Sequence, residues 1–486
     1  MGTMKVSRKQ AFSNFGWKFA EQMGAQLVSF VVAIILARIL MPEDYVCVSV
    51  MAILSTFCAV FIDSGLSKSL IQKKDVDIVD FSTVLFASIA LAAVVYAILF
   101  FSAPFIADLY HNELLISVIR VYSIILFVGA FNTVQCAYIS KHLQFKKYFL
   151  ATIVGTVVSA IVGIWMAYSG FGPWALIAQQ MINPIIDTII LYLTSDFRPK
   201  ICFSIVRLKE LWKFGIKVLG TSLVDMLYDN IRPLIVGIKY QSADLAYYQK
   251  GKSYPDIINN TLNSTLSSVL FPVMATVQDD LAQVKNITKK YIRTASFMLF
   301  PTLLGLAAIA PNLIVWMITS KWSATIPYMQ IFSINYMFQL LQSGNLQAIN
   351  AIGRSDIVLK LAVIKKSINF VLLFLVILFG KSPLLLAGLG IVTSFIAYVI
   401  NTYANKKLLK YGLREQVMDI LPNLLTAGMM AVVVYLIGKI RVPLFPLLCF
   451  QIIIGGFIYF FLNFLLKNDT LFYCLDTAKI YTKTKR

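Results

Sequence analysis

Apolar runs of about twenty residues follow one another along this chain, separated by breaks of only a few residues. A helix rises about 1.5 Å per residue, so a run of that length crosses the ~30 Å hydrocarbon core of a bilayer. Backbone groups in hydrocarbon must bond to each other, which predicts helix for every run. About fourteen runs are read by this rule: 12–40, 45–66, 81–103, 114–140, 148–169, 173–195, 211–238, 244–269, 291–310, 326–352, 357–379, 384–404, 418–437 and 444–466. The expected fold is an all-α polytopic membrane protein.

Composition enters as a check. Of 486 residues, 59% are hydrophobic and only 14% are charged, against roughly a quarter charged in soluble domains. Mean hydropathy is +0.77. A soluble chain so apolar could not cover its own core. The net charge of +20 would suggest nucleic acid in a soluble protein. Here the cations sit in short loops between apolar runs, where anionic headgroups and the insertion machinery account for them. No nucleic-acid partner is expected. The basic segment 1–10 precedes an apolar run too long for a cleavable leader, so none is expected.

The loops set an orientation. Lys68, Lys73 and Lys74, then Lys141, Lys146 and Lys147, then Arg198, Lys200, Arg207 and Lys209, and later Lys406, Lys407, Lys410 and Arg414 fall on one side. The opposite loops are poor in cations. By the positive-inside rule both termini are expected to be cytoplasmic.

An internal repeat divides the chain. Phe15-Gly16-Trp17-Lys18 opens the first run and Phe214-Gly215-Ile216-Lys217 the seventh. Two six-helix lobes of like orientation are expected, at 1–205 and 206–410, with 411–486 supplying two further helices and a basic tail. Those last two helices read as uniformly apolar and are expected to pack peripherally.

Charges inside apolar runs mark the candidate site, because a lone charge in hydrocarbon costs about 2.5–3.5 kcal/mol on the insertion scale. The eighth run carries Lys252, Asp256, Asn259, Asn263 and Ser267 on one helical face, with Lys250 beside it. That face is either the wall of an aqueous sugar-binding cavity or a set of interhelical hydrogen bonds. Pro255 in the same run cannot donate to the Gly251 carbonyl, and is read as a hinge or a static kink. The seventh run holds Asp225, Asp229 and Arg232, either an ion-coupling site or a structural ion pair. Glu21, paired with Lys18, and Asp63 are further coupling candidates. Lys365 and Lys366 lie deep in the eleventh run, facing a diphosphate or snorkelling to the surface. Gln339 belongs to a tenth run rich in amides, with Asn335, Gln342, Asn345, Gln347 and Asn350. Lys252 and one of Lys365 and Lys366 are expected to share a cavity.

No cofactor or metal is expected. The six cysteines are scattered, the two histidines lie in different loops, and no GxxxxGK[ST] loop occurs. No Ser/His/Asp arrangement sits on a soluble loop, so an enzyme is not expected.

Pro42-Glu43-Asp44-Tyr45, Asp63-Ser64-Gly65-Leu66 with Ser69-Leu70-Ile71-Gln72-Lys73, Tyr247-Tyr248, Val269-Leu270-Phe271-Pro272 with Gln278-Asp279-Asp280, Lys321-Trp322 and Gly353-Arg354-Ser355-Asp356 form a joint pattern. Over residues 5–410 it resembles the polysaccharide transporter family, in particular Wzx flippases of the colanic- and teichuronic-acid type, within the multidrug/oligosaccharidyl-lipid/polysaccharide superfamily. The resemblance implies two pseudo-symmetric lobes in a V-shaped, MATE-like arrangement. It implies alternating-access transfer of oligosaccharides linked to undecaprenyl diphosphate across a bacterial cytoplasmic membrane. The partners it implies are that lipid-linked oligosaccharide, the bilayer, and polysaccharide polymerase or export proteins. Two other functions stay open: a small-molecule exporter coupled to protons or sodium, and a polymerase or ligase, which would want a sizeable external loop.

Overall fold

The structure, a computed structural model, describes residues 8–472 apart from Ser64, Lys74, Leu143 and Gln241. Of residues 8–23, Asp63, Phe214, Lys217, Ser242, Thr265, Ser268, Val269, Phe271 and Pro272 it describes the backbone alone. In chain order the helices are α1 (Arg8–Ile39), α2 (Asp44–Asp63), α3 (Leu66–Gln72), α4 (Ile78–Leu109), α5 (Leu114–Tyr122), α6 (Ile125–Lys141), α7 (Phe145–Tyr168) and α8 (Pro173–Thr194). They continue as α9 (Ile205–Lys239), α10 (Ser242–Ala275), α11 (Leu281–Ile318), α12 (Thr325–Ala351), α13 (Ser355–Phe379), α14 (Pro383–Leu409), α15 (Leu413–Ile437) and α16 (Leu444–Leu465). No strand occurs among the described residues.

Among the described residues, ten segments are long and apolar enough to cross a membrane: α2, α4, α5 with α6, α7, α8, α11 and α13 to α16. The chain is a multi-span membrane protein. The described part of α1 adds a shorter apolar stretch, Gly24–Ile39. Helices α9, α10 and α12 run to 35, 34 and 27 residues but are not among the ten. They are the ones that carry most of the candidate charges and amides. Phe101, Trp165, Phe379 and Ile453 are all more than 60% exposed, a liability in water and the expected state against lipid.

Local chemistry sets the helix ends. Asp77 caps α4 through the amides of Val79 and Asp80 while Asp80 reaches back, a full capping box. Asp280 caps α11 and Ser382 caps α14. Between α7 and α8, Gly170 and Gly172 adopt φ of +81° and +56°, which lets the chain reverse within a few residues.

By compactness the chain forms two units, Met1–Ala246 and Tyr247–Arg486. In the first, α7 packs on α8 and α1, α4 on α5 and α6, and α9 on α2, α3 and α4. Leu66, Leu70, Phe81, Leu85, Phe197 and Leu211 form one of its cores. An ionic cluster fixes the start of α9 to the start of α4: buried Asp80 takes Lys73 at 2.9 Å and Arg207 at 3.4 Å, and Arg207 also bonds Asp77.

In the second unit, α11 packs on α12 and α15, α12 on α14, and α16 on α11 and α15. The expectation that the last two helices are uniformly apolar is corrected here. Gln416, Asp419, Asn423 and Thr426 of α15 are buried at i, i+3, i+7 and i+10. Arg293 on α11 donates twice to Asp419 Oδ1, at 2.9 and 2.7 Å, and Tyr411 donates to Oδ2 at 2.7 Å. Asn423 bonds Ser296, and Asn463 of α16 bonds Thr426. In an apolar solvent such bonds are what holds helix to helix.

Candidate functional site

Helix α10 runs unbroken through Pro255. Its contact with α12 is set by Gly251, where a Cβ would fall 2.5 Å from Tyr328 Cβ and 3.0 Å from Met329 N and Thr325 O. Only glycine permits that approach. Gly251, Pro255 and Asn259, spaced i, i+4 and i+8, are all buried. Lys250 and Lys252 flank the contact, so they point about 100° to either side of it. Lys250 Nζ lies 5.8 Å from the Trp322 ring centroid, a cation–π arrangement.

Two side chains of the α10 face, Asn259 and Ser267, engage α12. Asn259 Nδ2 donates to Gln339 Oε1 at 3.1 Å. Ser267 Oγ donates to Asn263 Oδ1 at 3.1 Å and lies 3.2 Å from Ser343 Oγ. The face therefore combines the two readings of its sequence: Asn259 and Ser267 join helices and Asn263 braces Ser267 from its own helix, while Lys252 and Asp256 are half-buried and form no ion pair among the described residues.

On α9, Asp225 and Asp229 are exposed and Arg232 is half-buried. On α13, Lys365 and Lys366 are half-buried beside buried Asn369. Glu21 and Asp63 lie outside the described side chains. Among the α12 amides, Gln339 is exposed. Asn335 accepts from Ser394 at 2.6 Å, Gln342 donates to the Ser394 carbonyl, and Asn345 is enclosed with Gln416 and Asn405. Those three are engaged within the fold.

Several polar groups in the first unit escaped the sequence reading. Asn183 and Asp187 of α8 lie against Gly155 of α7, where a Cβ would collide with Asp187 Oδ1 and sit 2.9 Å from both Asn183 O and Asn183 Oδ1. A cavity of 310 Å³ is lined by Ser55, Cys58, Tyr122, Thr133 and Gln180. Ser55 Oγ and the Tyr122 hydroxyl are 2.7 Å apart, and Tyr122 donates to Gln180 Oε1 at 3.3 Å. Gln180, Asn183 and Asp187 fall at i, i+3 and i+7, a polar stripe that the high apolar content of α8 concealed.

The second unit holds an apolar groove of 630 Å³ between α11, α15 and α16. Phe297, Pro301, Gly305, Met430, Gly455 and Phe460 are among its walls.

The sequence family described as "Polysaccharide biosynthesis protein" matches residues 35–327. Among curated proteins, the chain is similar to the succinoglycan biosynthesis transport protein ExoT of Rhizobium meliloti, 24% identical over 334 residues, 68% of this chain and 67% of that protein. It is 23% identical to the lipopolysaccharide biosynthesis protein WzxC of Escherichia coli over 76% of this chain and 74% of that one. It is 22% identical to the teichuronic acid biosynthesis protein TuaB of Bacillus subtilis over 72% and 73%. Among solved structures, the lipid II flippase MurJ superposes with a TM-score of 0.75 at 16% identity, over 94% of this chain and 99% of that one. An inward-facing MATE multidrug transporter gives 0.57 at 12% identity, over 79% and 94%. These two likenesses establish the fold: an all-α membrane fold of the MurJ and MATE kind.

Proposed function

The chain belongs to the polysaccharide biosynthesis protein family, and we propose from that membership that it is a flippase for lipid-linked oligosaccharides. It moves repeat units carried on undecaprenyl diphosphate across a bacterial cytoplasmic membrane, with both termini cytoplasmic. Three relatives named for polysaccharide biosynthesis support the substrate class. The multidrug-exporter reading has less behind it: the MATE likeness is the weaker of the two superpositions.

One observation carries the reading. Lys365, near the middle of α13, and Lys252, in the first half of α10, are both half-buried, with no ion pair among the described residues. A cation kept at that depth without a carboxylate costs free energy, and an anionic cargo would offset it. A lipid diphosphate brings about two negative charges and a hydrophilic glycan, neither of which crosses hydrocarbon unaided. Lys250, Lys252, Lys365 and Lys366 would grip the diphosphate. Asp256, Asn259, Asn263 and Gln339 would meet sugar hydroxyls. The prenyl chain is matched by the apolar groove of α11, α15 and α16. Asp225 and Asp229, with Glu21 and Asp63, are candidates for ion coupling, and Pro255 for a hinge in α10. Polymerase or export proteins would take the cargo on.

The test is complementation of a flippase-deficient strain. Lys252→Ala and Lys365→Ala should each abolish surface polysaccharide while the protein still inserts. Lys→Arg should keep part of the activity, since charge outweighs shape in holding a mobile diphosphate. Full activity in the Lys252→Ala/Lys365→Ala double variant would refute the cation assignment.

A further inference from the structure

We propose that the turn joining α14 to α15 holds the headgroup of an anionic phospholipid. The inference goes beyond the transport reading and does not rest on it. Three residues, Lys410 to Gly412, connect the two helices. Around them opens a pocket of 480 Å³ lined by Lys406, Lys410, Gly412, Arg414, Glu415 and Met418.

The pocket's charge is one-sided. Its single carboxylate, Glu415, is already taken by Lys285 at 2.9 Å and Lys289 at 3.3 Å. Lys406, Lys410 and Arg414 make no ion pair among the described residues. Three exposed cations thus converge on one cavity without an ion-pair partner among the described residues. Two of them sit on a fixed stretch of chain. The stem of Lys406 lies over Gly412, so close that a Cβ there would be 3.3 Å from its Cγ and Cδ. Lys410 takes φ +54°, and its carbonyl accepts from Lys285 Nζ at 2.9 Å. Lys285 therefore fastens the turn and neutralises the carboxylate together.

The surroundings select a lipid over a soluble anion. Both flanking helices are candidate spans, so the turn sits at the end of the hydrocarbon layer. Met418, a pocket residue, begins an exposed apolar stripe with Leu421 and Leu425 at i, i+3 and i+7. Lys407 next door lies 4.8 Å from the centroid of the exposed Tyr403 ring, an amphipathic pair suited to the interface. A phosphate in the pocket can continue into acyl chains along the stripe; a free phosphate gains nothing from it. Basic pockets between spanning helices are suited to anionic headgroups.

The experiment is lipid titration of the purified full-length protein in detergent, read by native mass spectrometry. The probes are phosphatidylglycerol, phosphatidylcholine and inorganic phosphate. Phosphatidylglycerol should bind in preference to phosphatidylcholine, and inorganic phosphate should not displace it. The variant Lys406→Gln/Lys410→Gln/Arg414→Gln should lose the preference, each charge removed weakening binding about fivefold. Should that variant not purify folded, Arg414→Gln gives the same readout as a single step. Neutralising Lys381, Lys439 and Arg441 serves as control and should leave binding unchanged. Equal binding of both lipids, displacement by inorganic phosphate, or the same loss in the control would each overturn the proposal.

Discussion

Asn259 on α10 donates to Gln339 on α12 at 3.1 Å, while its own fully buried Oδ1 accepts nothing among the described residues. A buried acceptor left unmade costs about 1–3 kcal/mol, roughly what the one bond it does make returns. Such a group is poor glue. Asn259→Leu, which removes bond and orphan together, should therefore leave thermal stability within about 1 kcal/mol of the parent. Under the flippase reading it should still impair polysaccharide export. Melting curves and complementation on the same variant check both halves.

The opposite balance holds at Asp419. Its carboxylate is almost fully buried and takes Arg293 and Tyr411. Asp419→Ala leaves the guanidinium, a third exposed and still 3.7 Å from Asp469, without its main partner and should cost about 1–3 kcal/mol. The double variant Arg293→Met/Asp419→Leu should recover most of that loss. Thermal unfolding in detergent separates the two. A loss in the double variant as large as in the single one would contradict the assignment.

Much of the fold was legible because a spanning run needs no partner to be recognised: its length and apolarity suffice. The long helices α9, α10 and α12 were also placed, through their mixed runs. What interhelical packing decides was not legible. Asn335, Gln342 and Asn345 look alike in sequence to Gln339, yet three are engaged by α14 or α15 and one is exposed, because only the neighbours' positions distinguish them. The stripe of Gln416, Asp419, Asn423 and Thr426 was available as a periodicity, as was that of Gln180, Asn183 and Asp187. Both were masked by mean hydropathy, which discards direction.

Gly251 offers a test of the α10–α12 contact. Its missing Cβ would meet Tyr328 and the backbone of α12, which cannot move aside as a side-chain tip can. Gly251→Ala should destabilise by about 1–3 kcal/mol. Gly388→Ala, on α14 with open space around the added carbon, should be neutral or slightly stabilising. Equal effects in the two would show that the contact is not tight.

The cluster at the start of α4 predicts a pH dependence. The hydrogen bond from Arg207 holds the Asp77 carboxyl down at about 2, below its ordinary value of 3.8. A carboxylate whose folded value is depressed stabilises the fold above its unfolded value and loses that contribution as pH falls towards the folded one. Stability should thus decline between about pH 5 and pH 2, and Arg207→Gln should flatten part of that decline. Asp77 is half exposed, so the effect should be small and should shrink further in salt. Melting temperature against pH for parent and variant measures it.

The flippase reading stands or falls on movement of cargo. Full-length protein reconstituted in liposomes, with a fluorescent undecaprenyl-diphosphate oligosaccharide initially in the inner leaflet, can be followed by its appearance to an external, membrane-impermeant quencher. The account predicts exposure faster than in protein-free liposomes, and return to that baseline in the Lys252→Ala/Lys365→Ala variant. Exposure no faster than in protein-free liposomes, with folded and correctly inserted protein, would contradict it.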